Sequence, residues 1–135
     1  MKLYKYELEA FITFLHSLKL ERKNSRMRSK LKKILTGKLQ EFYEDLYEIN
    51  LNYAKKDDSG NPIQNDGKFL FSDDNNRLED LYELANEVVI IDVNDETRDM
   101  LFSVKESVIY NAPLEFEGED ADKYDRFCEI VEQIN

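Results

Sequence analysis

At 135 residues the chain fits one domain, and an apolar share of 41%, rich in Leu, Tyr and Phe, supplies a packed core and argues against wholesale disorder. Charged residues reach 36%, with 29 acids against 19 bases and a formal net charge of −10. That excess argues against a general nucleic-acid binder, because a polyanion repels the whole particle before a local basic patch can act.

Leu8, Phe11, Leu15 and Leu18, widened by Ile12 and Phe14, repeat at helical spacing and predict a first amphipathic helix over about Tyr4 to Leu20. Asn24-Ser25 reads as a cap-like break. Beyond it Met27, Leu31, Leu35, Leu39, Phe42, Leu46, Ile49 and Tyr53 hold a stripe that predicts a helix from about Ser25 to Lys55, roughly 45 Å long. Two helices so close in sequence should pack as an antiparallel hairpin. The turn formers Asp57-Asp58-Ser59-Gly60-Asn61-Pro62 and Asn65-Asp66-Gly67 end the second helix, and the latter suits a hairpin into a short strand at Lys68-Phe69-Leu70-Phe71.

In the remaining chain, Asn76 with Glu79 reads as a capping box for a third helix carrying Leu78, Leu81, Tyr82 and Ala85. Val88 to Val93 is β-branched and predicts a strand. Thr97, Leu101, Val104 and Val108 mark a helix capped at Asn94 or Asp95, and Leu114-Glu115-Phe116-Glu117 alternates like a half-buried strand. A last helix starts near Asp120 with Tyr124, Phe127, Cys128, Val131 and Ile134 inside. The expected fold is a mostly helical α+β single domain over 1–135. It comprises a basic N-terminal helical hairpin (1–56), a turn-rich connector (57–72) and an acidic half (73–135) with about three helices and two or three short strands.

Three stretches resemble an uncharacterised family of small bacteriophage and prophage proteins of Gram-positive hosts, a domain of unknown function. They are Ser25-Arg26-Met27-Arg28 leading into Lys30-Leu31, Ala54 to Pro62 (AKKDDSGNP), and Gly118 to Glu129 (GEDADKYDRFCE). With their order and the chain length they span most of the sequence. The resemblance implies a viral protein made in the host cytoplasm; it brings no catalytic residues to carry over.

The residues that would carry chemistry are few. Cys128 alone excludes an intramolecular disulfide and a multi-thiolate metal site, suits a reducing compartment, and reads as a small core hydrophobe. His16, the one histidine, reads as a partly exposed helix residue without a partner. A calcium loop starting at Asp57 puts Pro62 at the sixth position and Lys68 at the twelfth, and one starting at Asp92 puts Thr97 at the sixth, so both fail. Glu21-Arg22-Lys23 and Asp66-Gly67-Lys68 match only the tail of a nuclease-like acid-x-lysine signature, with Asp57 and Asp58 the acids that would have to assist. No cofactor, no metal and no catalytic residue is expected. The first residues meet Glu7 and Glu9 before an apolar stretch builds, and the longest apolar run, Val88 to Ile91, is four residues, so neither a signal peptide nor a membrane span is expected.

Charge segregation is the informative feature. Residues 1–56 hold 13 basic and 7 acidic side chains, a net of +6, and residues 57–135 hold 6 and 22, a net of −16. Lys19 to Lys38 contains nine bases and one acid, Glu21. On the second helix Arg26, Lys30 and Lys33 share a face that Glu41, Glu44 and Glu48 continue, the reverse of what the helix macrodipole prefers at each end. Local helix stability therefore does not account for this order.

Four readings follow. The acidic half folds back to neutralise the basic stretch; two copies pair antiparallel as a homodimer; the basic face tracks phosphates, although no aromatic is interleaved there to stack a base; or the acidic half mimics DNA charge and inhibits a host nucleic-acid enzyme. The expectation is a non-enzymatic module that docks by charge complementarity onto a phage or host protein through Arg26, Lys30, Lys33, Glu41, Glu44 and Glu48, with the anti-defence inhibitor as the alternative.

Overall fold

The computed structural model describes residues 1–135. Five helices carry the fold: α1 (Leu8–Ser17), α2 (Arg22–Tyr53), α3 (Asp74–Ala85), α4 (Arg98–Tyr110) and α5 (Gly118–Glu132). Four short strands, β1 (Lys2–Tyr4), β2 (Gln64–Asn65), β3 (Lys68–Phe69) and β4 (Val88–Ile90), make two antiparallel pairs, β1–β4 and β2–β3. The architecture is the mostly helical α+β fold expected, with the long hairpin in front.

The 32 residues of α2 give it a length of about 48 Å. Its stripe Met27, Leu31, Leu35 and Phe42 is buried, and Gly37 is tolerated inside it at a cost of about 1 kcal/mol relative to alanine. Contacts fix the hairpin's sense. The Tyr43 hydroxyl donates to Glu9 at 3.0 Å near one end of α1, and Lys32 Nζ meets His16 Nδ1 at 2.6 Å near the other. The reversal between them occupies Leu18 to Glu21 and is closed by Arg28, whose guanidinium donates to the Leu15 and Leu18 carbonyls at 2.6 and 2.9 Å. The Leu15 carbonyl also accepts from the Leu18 amide at 3.3 Å, so Arg28 adds a second donor there and a donor to the Leu18 carbonyl just past the end of α1.

Both hairpin boundaries differ from the periodicity. The first helix begins at Leu8 rather than Tyr4, because Lys2–Tyr4 is a strand and Lys5–Glu7 a single 3-10 turn. Asn24-Ser25 is not a break but part of the first turn of α2: Glu21 is extended and Arg22 takes a φ of 43°, so the helix starts earlier. Asn24 instead accepts from the Ser103 hydroxyl of α4 at 2.7 Å.

The connector folds back on itself. Ala54 and Lys56 bridge to Phe71 and Pro62, and β2 turns into β3 through Asp66 and Gly67, both at positive φ (53° and 76°), so the hairpin expected at Asn65-Asp66-Gly67 forms, with its second strand shortened to Lys68–Phe69. The next helix, α3, begins two residues before Asn76. Asp73 is its cap, accepting from the Asn76 amide at 3.1 Å, so the proposed capping box at Asn76 and Glu79 is displaced by an acid three residues upstream.

The strand at Val88 forms, shortened to Val88–Ile90, and pairs with β1 in the register Lys2↔Ile90, Leu3↔Val89, Tyr4↔Val88. Asn94 caps the turn into α4, its side chain accepting from the Glu96 and Thr97 amides at 2.9 and 3.1 Å. Leu114 to Glu117 is not a strand: Leu114 is fully exposed, and Phe116 folds in to stack on Tyr124 with ring centroids 4.3 Å apart. Alternation failed there because no neighbouring strand offers a ladder.

One apolar core of 19 buried residues joins β1, α1 and α2 to β4, α4 and α5. Leu3, Phe11, Leu31, Leu101 and Ile130 meet in it, each stabilising the fold by about 1.5–3 kcal/mol through burial. The charge boundary near residue 57 is thus not a packing boundary. No helix is long and apolar enough to cross a membrane.

Candidate functional site

The six charged residues singled out on α2 all reach solvent and lie on one face. The apolar stripe that fixes α2 against α1 and α4 also fixes this face, because positions about half a turn away from Met27, Leu31 and Leu35 must point outward. No acid lies in the first turn of α2 and no base in its last, so the macrodipole is opposed by the basic start and unrelieved at the acidic end.

The basic stretch is left without carboxylate partners from the acidic half. Five ion pairs join Lys5–Glu87, Lys38–Glu41, Arg77–Asp74 and Arg126 with Glu7 and Glu129. None links Lys19–Lys38 to the acidic half, which corrects the expectation that the acidic half folds back to neutralise the bases. The acidic helices pack through the common apolar core, and that core sits on the opposite side of α2 from its charged face. Among the nine bases Arg28 caps α1, Lys32 meets His16 and Lys38 stands 4.0 Å from Glu41. Lys19, Arg22, Lys23, Arg26, Lys30 and Lys33 have no acceptor in the molecule, so their charge is open to a partner. At the other end Glu44 accepts only from Gln40 at 3.3 Å, and Glu48 from nothing.

The acidic half is similarly unpaired. Of the 22 acids in residues 57–135, ion pairs engage Glu87, Asp74 and Glu129. Asp57 is used locally, accepting from the Ser59 and Asn61 amides at 2.9 Å each. It therefore closes its own turn. Asp66 lies in the hairpin turn and Glu21 in the helical reversal, and no three His, Cys, Asp or Glu side chains gather to hold a metal.

The remaining candidates read as structure. His16 is exposed on the last turn of α1 and, contrary to the expectation that it lacks a partner, its Nδ1 accepts a hydrogen bond from Lys32 Nζ at 2.6 Å. Cys128 is half-buried against the core, and burial pushes its thiol above the ordinary value, the Tyr124 hydroxyl offsetting part of this, so little reactive thiolate exists at neutral pH. Burial and the neighbouring Cys128 push Tyr124 up to about 12; its hydroxyl donates to the Val108 carbonyl at 2.7 Å. A cleft of about 580 Å³ opens between α1 and the 113–123 segment, lined by Phe14, Phe116 and Phe127 with Glu9, Asp120 and Lys123, without a nucleophile and base in contact.

One buried ionic group escaped the sequence reading. Glu7 accepts from Arg126 of α5 at 2.7 and 3.0 Å and from the Tyr4 amide at 3.0 Å. Burial alone would raise its carboxyl, but these bonds outweigh burial and hold it below the ordinary carboxylate range; the same pair raises Arg126. A signal was available: Glu7 precedes Leu8 and stands four residues before Phe11, in phase with the buried stripe. Its partner lies 119 positions away, beyond any local pattern.

No family model matches the chain, and no curated protein or solved structure is similar to it at a significant level.

Proposed function

We propose that the protein is a non-enzymatic binding module that docks onto another protein by charge complementarity through the exposed face of α2. The observation that carries this reading is the row Arg26, Lys30 and Lys33, continued by Glu41, Glu44 and Glu48, solvent-facing and without a carboxylate from the acidic half within 4.0 Å. Arranging like charges along one helix face opposes both the macrodipole and neighbouring side chains, so a compensating surface elsewhere accounts for it better than intrachain stability does. A protein surface with an acidic patch beside a basic one matches this row; a DNA duplex, uniformly negative, matches only its first half and is repelled by the second. The phage setting, with a phage or host protein as partner in the host cytoplasm, rests on the resemblance of the three stretches described above.

A photo-crosslinking residue at Lys33 tests the reading in the cells that make the protein. A protein adduct at that position is expected, suppressed by the Glu44→Lys exchange and absent when the probe stands at Glu106 on α4. Adducts with nucleic acid alone, or none, overturn it.

The second reading, an acidic inhibitor that mimics DNA charge, is favoured by the 19 acids of residues 57–135 outside ion pairs. It requires the adduct to move from α2 to probes on α5, and competition of the partner by duplex DNA.

A further inference from the structure

The charged face of α2 is symmetric about Gly37. Arg26 and Glu48 stand eleven residues to either side of it, Lys30 and Glu44 seven, and Lys33 and Glu41 four. In each case the partner across the centre has the opposite sign. At 3.6 residues per turn all seven positions fall within about 40° of Gly37 around the helix. All seven are exposed, and the arc of exposed α2 positions, from Tyr43 on one side to Lys38 on the other, is centred on them.

From this self-complementary register we infer that the partner of the face is a second copy of this chain. Two α2 helices cross near antiparallel with Gly37 on the two-fold axis. A two-fold contact repeats every pair, so three intrachain symmetries become six intermolecular ones: Arg26 with the second copy's Glu48, Lys30 with its Glu44, Lys33 with its Glu41, and the reverse. The inference rests on the docking reading and specifies its partner.

Gly37 supports the same centre independently. Nothing lies within 4 Å of where a Cβ would stand there, and the residue is helical, so the monomer has no use for a glycine at a position where alanine would strengthen the helix. At the crossing point of two helices a missing Cβ lets the backbones approach and brings the flanking side chains within reach of each other. Raised ionic strength screens exposed pairs of this kind, so the dimer is expected to be salt-sensitive.

Sedimentation equilibrium of the full chain, from micromolar to several hundred micromolar, in 20 mM and 500 mM NaCl, tests the register. Wild type is expected to dimerise at low salt and dissociate at high salt. Lys30→Glu and Glu44→Lys should each weaken self-association by about tenfold or more, since each sets like charges opposite one another twice. An equimolar mixture of the two variants should restore it. In the mixed dimer the new carboxylate at position 30 of one chain faces the new ammonium at position 44 of the other, and the unaltered Lys30 faces the unaltered Glu44. Gly37→Ala should weaken the dimer while raising the melting temperature of the dilute monomer, a combination that a structural glycine would not produce.

A wild type that stays monomeric at low salt, a mixture no tighter than either variant alone, or Gly37→Ala dimerising as well as wild type overturns the inference. The photo-crosslink at Lys33 separates this failure from that of the broader reading. An adduct with a different protein removes the second copy and leaves docking intact, whereas no protein adduct removes both.

Discussion

Glu7 does two jobs with one carboxylate. It accepts from the Tyr4 amide, closing the turn that leads from β1 into α1, and from Arg126, tying the start of the chain to α5. Its pKa is lowered on folding, so the unfolded chain binds the proton more readily and this contribution to stability grows with pH. It is fully present above the unfolded carboxyl value and is lost as pH falls through the lower folded value. Glu7→Gln should therefore cost about 1.5 kcal/mol at pH 7, the low end for a charged hydrogen bond because Arg126 keeps 37% of its side chain in water. Urea unfolding of both proteins from pH 7 to pH 3 checks this: the gap should close on the acid side, and a gap independent of pH would mean that the carboxylate's charge is not what stabilises the turn. Arg28, a base of the cationic stretch, belongs to structure for a comparable reason, since its guanidinium closes the end of α1.

At the scale of elements, two arginines one half-turn apart on α2 should behave in opposite ways. Arg28→Ala removes the guanidinium from the Leu15 and Leu18 carbonyls, leaving Leu15 only the Leu18 amide, and should cost about 1.5 kcal/mol, with α1 amides losing hydrogen-exchange protection first. Arg26→Ala touches no acceptor and should leave stability within about 0.5 kcal/mol while changing association. Likewise Asp73→Ala should cost about 1 kcal/mol, read as fraying of the first turn of α3. The elements differ in how far the sequence announces them. α2 is legible because a 3.6-residue stripe continues over 32 residues and dominates any local propensity. β1 is not, because three residues cannot show a period and its partner Val88–Ile90 lies far along the chain. Phe116 departs from the strand pattern because alternation says that one side is apolar, not whether a strand or an aromatic neighbour such as Tyr124 will cover it. The candidate face divides in the same way. The exposure of Arg26, Lys30 and Lys33 follows from the stripe behind them, whereas their lack of intrachain partners depends on where distant acidic helices pack.

For the whole molecule, one core carries two charge poles. Met1, Leu3 and Phe11 pack with Phe127, Ile130 and Ile134, so the basic and acidic regions cannot separate without opening that core, and thermal unfolding should be a single transition. The electrostatic cost of the arrangement falls within each pole. Arg26, Lys30 and Lys33 are three and four residues apart on one helix, where like charges repel, while the opposite pole reaches them by no ion pair. The Debye length shrinks from tens of ångströms in dilute buffer to less than about 10 Å in moderate salt, and the repulsion within each pole weakens accordingly. Salt should therefore raise the melting temperature of the dilute monomer by a few degrees between 20 and 500 mM NaCl, even as it dissolves the association between molecules. Differential scanning fluorimetry at low micromolar concentration, set beside sedimentation under the same salts, reads both slopes. Opposite signs follow if the poles are frustrated within one chain and satisfied between chains. A melting temperature that falls with salt would mean that attraction between the poles of a single molecule dominates, which would remove the physical reason for α2 to seek a surface outside it.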